Sequence, residues 1–136
     1  MAALTADRNT LARSGDLREP PVKANALLYA GGMAALDAAG FAVPAAAVAT
    51  LRVIGRVRTR ADNTGGTDGA IRVQVEPGVF RFGNSAAADA IGLKDVGQPC
   101  YAVDDQTVAL TSSSGARPFA GTIFDVDAQG VWVKFS

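Results

Sequence analysis

The sequence contains no histidine and a single cysteine, Cys100, among 136 residues. Without histidine the usual general base at neutral pH is missing, along with Ser/His and Cys/His nucleophile pairs and the commonest metal ligand. One cysteine per chain allows neither an internal disulfide nor a zinc cluster; this usage fits a reducing compartment. No metal and no cofactor is expected. Net charge is also missing: 13 basic residues balance 13 acidic ones. Non-specific nucleic-acid binding, which needs a basic surface, is not expected. The opening "MAALTADRNTLARSGDLREPP" has no apolar run flanked by basic residues, so it does not read as a secretory signal. No apolar run approaches the length of a membrane span, and no membrane partner is expected.

What is present is a chain of one-domain size in which 49% of the residues are hydrophobic, dominated by alanine and valine. Such side chains pack thin layers rather than a bulky centre. Fifteen glycines suit many turns and few long helices. Charge is unevenly spread: residues 1–83 carry 10 basic and 7 acidic side chains, net +3, and residues 84–136 carry 3 and 6, net −3. A dipolar chain of this kind can pair with a second copy of itself; a homodimer is expected, with a trimer as the alternative.

Residues 1–22 are polar and end near Pro20-Pro21, which favours extended backbone and predicts an N-terminal arm. Residues 23–136 predict short strands separated by turns. "NALLYAGGMAALDAAG" reads as strand, Gly31-Gly32 turn, strand, and "FAVPAAAVAT" as a connection or edge strand because Pro44 blocks a ladder position. "TLRVIGRVRTRADN" predicts one long strand. Its Arg52, Arg56, Arg58 and Arg60 share a parity and so are expected on one face. "AIRVQVEPGVFRFGN" predicts a hairpin turning at Pro77-Gly78. "SAAADAIGLKDVGQ" predicts a short helical turn with Ser85 as a possible cap. "PCYAV", "TVALT", "RPFAGTIFDV" and "GVWVKF" predict four closing strands, with turns at Asp104-Asp105 and at "DVDAQG". Eight or nine short strands at this spacing indicate a sandwich or barrel.

Few residues point to chemistry. Cys100 has no histidine to deprotonate it and no basic residue close in sequence, so it reads as structural. Asp104, Asp105, Asp125 and Asp127 each sit in a turn context that explains them. "DNTGGTDG", residues 62–69, lacks the spacing of a calcium-binding loop and reads as an exposed loop. The arginine row is the strongest surface signal, because arginine makes planar bidentate contacts and is enriched at protein interfaces.

"LTADRNT", "GVFRFGNSAAADAI", "DVGQPCYAVDDQTVA" and "AGTIFDVDAQGVWVKF", in that order from Leu4 to Phe135, resemble the capsid cement, or decoration, proteins of tailed bacteriophages. The resemblance implies an all-β chain: an antiparallel, jelly-roll-like β-sandwich with an extended N-terminal arm. It implies a non-enzymatic virion protein on the outer capsid surface, made in the bacterial host cytoplasm, whose partner is the major capsid protein. The gripping residues expected are Leu4, Thr5, Asp7, Arg8 and Asn9 of the arm with Arg52, Arg56, Arg58 and Arg60. The competing class is a small ligand- or glycan-binding module of a phage tail or fibre. Against it, the aromatics are only Trp132, two Tyr and six Phe, most of them fitting inward positions.

Overall fold

The computed structural model describes residues 2–12 and 15–135; Met1, Arg13 and Ser14 of the expected arm, and Ser136 of the expected domain, lie outside the described residues. The described chain is all-β. Its strands are β1 (Leu27–Leu28), β2 (Met33–Leu36), β3 (Ala42–Pro44), β4 (Arg52–Val57), β5 (Ala61–Asp62), β6 (Val75–Glu76), β7 (Gly78–Asn84), β8 (Pro99–Ala102), β9 (Thr107–Ala109), β10 (Phe119–Asp127) and β11 (Gly130–Phe135). Single 3₁₀ turns span Ala87–Asp89 and Leu93–Asp95. The strand number exceeds expectation because three strands are only two residues long.

The C-terminal half closes into a five-stranded barrel in the order β10-β11-β7-β9-β8, antiparallel except for β7 with β9. Alternation in "GVWVKF" sends Val131, Val133 and Phe135 inward, where they meet Phe82, Cys100, Ala102, Val108 and Ile123. Phe82 and Phe135 stack edge to face, 5.8 Å between centroids. A barrel this narrow needs strands without side chains where backbones cross. A Cβ on Gly121 would lie 2.5 Å from the Lys134 carbonyl. The predicted turns form as read: Asp104 Oδ1 accepts the Gln106 N–H, and Asp127 Oδ1 accepts the Gln129 N–H. A bulge between Ile123 and Asp125 leaves Phe124 exposed.

The N-terminal half forms a four-stranded sheet, β3-β2-β4-β6, and a two-stranded piece, β1-β5. Pro44 stands on the edge strand, as its missing N–H requires. One face of the sheet, carrying Met33, Ala35 and Val53, joins the barrel core. The other, carrying Ala34, Ala42, Val57 and Val75, closes over Val22, Leu28 and Val73. The end of the expected arm builds this second core. Arg18 and Val75 exchange backbone bonds of 2.8 and 2.9 Å, and the Val22 N–H donates to the Ile71 carbonyl. At the opposite edge, the Ala42 N–H donates to the Pro21 carbonyl at 2.7 Å. Residues 18–22 therefore bridge both edges of the sheet, and Val22 is fully buried.

Four expectations need correction. Residues 70–84 are not a hairpin: β6 pairs with β4 and β7 with β11, so Pro77-Gly78 is where the chain passes from sheet to barrel. The long strand expected over 50–63 ends at Val57, and bends at Arg58 and Thr59 lead to β5. Ser85 caps nothing; its hydroxyl donates to the Val108 carbonyl at 2.9 Å. Tyr29, Phe119 and Phe124 face solvent rather than the interior.

Candidate functional site: an arm, scattered arginines and a slot

Residues 2–12 are exposed throughout and extended apart from a bend at Thr5 and Ala6. Leu4 is 72% and Leu11 89% exposed. Leu4, Thr5, Asp7, Arg8 and Asn9 therefore lie on one exposed segment. Within it the Thr10 N–H donates to the Arg8 carbonyl at 3.0 Å.

The arginines are not a row. In β2–β4 pairing, Ala34 stands opposite Gly55 and Ala35 opposite Val53, so Ile54 is an extra residue on β4. The bulge shifts the parity. Arg52, opposite Leu36, takes the face of the second core; Arg56, opposite Met33, takes the barrel face. Arg56 is half-buried, bonds Glu76 at 2.6 Å and lies 5.1 Å over the Phe80 ring. Arg58 is exposed, with no side-chain partner among the described residues. Arg60 lies 5.5 Å over Tyr29, its Nη2 4.0 Å from Asp62. Among the described residues no hydrogen bond or ion pair joins Leu4, Thr5, Asp7, Arg8 or Asn9 to any of the four.

Two concavities mark the surface. A groove of about 640 Å³ is lined by Leu17, Arg18, Glu19 and Pro20 with Leu36, Ile54 and Arg72. A second depression of about 490 Å³ is lined by Tyr29, the Gly31-Gly32 turn, Asp105 and Gln106. Sequence reasoning missed the groove, and with it Arg18 and Arg72. Its one readable signal was Gly55 in mid-strand, which often marks a bulge.

The residues weighed for chemistry are engaged inside the fold. Cys100 is fully buried, its Sγ 3.4 Å from the Gly121 carbonyl, and burial pushes its thiol up to about 12. The Trp132 indole N–H on Asp127 and the Thr111 hydroxyl on Asp89 hold both carboxyls below the ordinary 3.8. The 62–69 loop is largely exposed, but buried Asn63 pins it by donating to the carbonyls of Val22, Lys23 and Thr67. Among the described residues no three His, Cys, Asp or Glu side chains are grouped to hold a metal. None of the described helices is long and apolar enough to cross a membrane.

No protein-family model, curated protein or solved structure matches this chain.

Proposed function

We propose that this protein is a structural virion protein that binds the outer surface of a tailed-phage capsid. It bridges neighbouring major capsid protein subunits and stabilises the shell against internal DNA pressure. The observation that carries this reading is the N-terminal segment. Residues 2–12 lie fully exposed with Leu4 and Leu11 unburied, while residues 18–22 lock the segment's base into the fold. An exposed, largely extended segment is suited to adding a strand to a partner's sheet edge. Exposed Arg52 and Arg58 offer further planar donors for carboxylates.

The body suits a passive, non-enzymatic role. The sheet packs on the barrel in layers, in the manner of a jelly-roll-like β-sandwich. Binding a surface completed only by neighbouring subunits stabilises the assembled shell by mass action. Self-association, as a homodimer or alternatively a trimer, would add contacts across the lattice.

The test is co-sedimentation of the purified protein with capsids lacking it, beside a variant deleted for residues 2–12. The full chain should sediment with the particles and the deletion should bind far less. Equal binding would refute the arm's role, and no binding by either would refute the reading. Exposed Tyr29 beside Asp105 and Gln106 favours a second reading, a glycan-binding module, which a glycan array would test directly.

A further inference from the structure

The groove is a place in the sheet where a strand is missing. β6 covers only Arg56 and Val57 of β4, because the chain leaves the sheet at Pro77-Gly78. The Arg52–Ile54 half of β4 has no β6 residue beside it. On the far side of β6, residues 18–21 run antiparallel to residues 72–75, with Arg18 opposite Val75 and Pro21 opposite Arg72. A slot is left between Ile54 of β4 and residues 17–20. The Arg18 Nη1 reaches across it to the Ile54 carbonyl at 3.2 Å, at the bulge where Ile54 has no partner on β2. A side chain there meets a carbonyl that a strand's N–H would otherwise take.

The slot has a chemical preference. Leu17, Leu36 and Ile54 give it apolar walls. Arg18 and Arg72 flank it, and Arg52 stands opposite Leu36 on the same face. Arg18 donates to the Ile54 carbonyl and Arg72 to the Glu19 carbonyl, and among the described residues no ion pair engages Arg52. Among the described residues, Glu19 is the one acidic side chain lining the slot. The protein's own residues 2–12 carry Asp7 balanced by Arg8, so they do not complement this excess of positive charge.

We infer that the slot receives an extended acidic segment of a capsid subunit, which adds along β4 at Arg52–Ile54 and places carboxylates against Arg18, Arg52 and Arg72. This inference rests on the capsid-binding reading. It supplies a second grip, separate from residues 2–12, so that one copy can hold two subunits.

The experiment uses the full chain and capsids lacking it. One variant carries Arg52→Glu and Arg72→Glu, both exposed positions, with its fold checked by thermal unfolding. The other carries Arg52→Cys labelled with a benzophenone maleimide, which buried Cys100 does not compete for. We expect about tenfold weaker particle binding or worse for the charge reversal. On illumination we expect an adduct between Arg52→Cys and an Asp- or Glu-rich peptide of the major capsid protein. Unchanged binding by the reversal while the parent binds would overturn the slot and leave the capsid reading intact. An adduct only with a second copy, only with residues 2–12 of the same chain, or no adduct at all would also overturn it. Failure of the parent to bind would instead overturn the capsid reading.

Discussion

Arg56 and Glu76 face each other across β4 and β6 with 2.6 Å between Nη1 and Oε1, and the same guanidinium lies over Phe80 of the barrel. The pair ties the N-terminal sheet to the C-terminal barrel at the point where the chain passes between them. Arg56 is thereby a structural residue, whereas Arg58, next but one, faces solvent.

The two arginines should therefore separate in a stability measurement. Arg56→Ala loses a charge-assisted hydrogen bond and a cation–π contact, and should cost about 1–2 kcal/mol in urea unfolding. Arg58→Ala should stay within about 0.5 kcal/mol of the parent, as an exposed change without partners does. Equal costs would mean that the Glu76 and Phe80 contacts of Arg56 do not stabilise the fold.

Local chemistry made part of this fold legible. Asp104 and Asp127 are read as turns because an Asp side chain bonds the backbone two residues on, and both do so here. The alternation of "GVWVKF" gave the barrel wall for the same local reason. Pro77-Gly78 misled because a tight turn looks the same whether the next strand returns beside the last or departs for another sheet. The arginine parity failed on a single extra residue, Ile54, since one bulge moves every later side chain to the other face. The arm's exposed residues were readable from polarity. The slot was not, because it depends on β6 stopping after Glu76 and on residues 18–22 pairing with a segment about fifty positions away.

Gly121 sits where β10 crosses close to β11. An alanine there would put its Cβ 2.8 Å from Val133 Cγ1 as well as against the Lys134 carbonyl. Gly121→Ala should destabilise the chain by about 1–3 kcal/mol through overpacking, read as a lower urea midpoint. An unchanged midpoint would mean a barrel looser than described.

Acid should weaken the fold through four aspartates. Hydrogen bonds from the Phe41 amide to Asp37, from Thr64 to Asp62, from the Thr111 hydroxyl to Asp89 and from the Trp132 indole to Asp127 all lower the carboxyl pKa from 3.8. The folded chain then binds fewer protons than the unfolded one. The stabilisation is fully present above the unfolded value and is lost as pH falls through the lowered values. The melting temperature should hold near neutrality and drop between about pH 4 and about pH 2. Asp127→Asn should shrink that drop, and a flat profile would contradict the hydrogen-bond assignment.

Cys100 should be inert in the native state. Its burial and raised pKa predict negligible reaction with a thiol reagent at pH about 8, and one full equivalent after denaturation. Rapid native labelling would place the cysteine at the surface and undo the barrel core as described.

The central claim is that this chain sits on the outside of a tailed-phage capsid and holds adjacent subunits together. The most direct measurement is an electron-microscopy difference map between particles assembled with and without it. The account predicts added density on the outer surface, shaped as a barrel with an attached sheet, with an extended arm running onto the shell and contacts to more than one major capsid subunit. Two identical maps, or density confined to a tail or fibre, would contradict it.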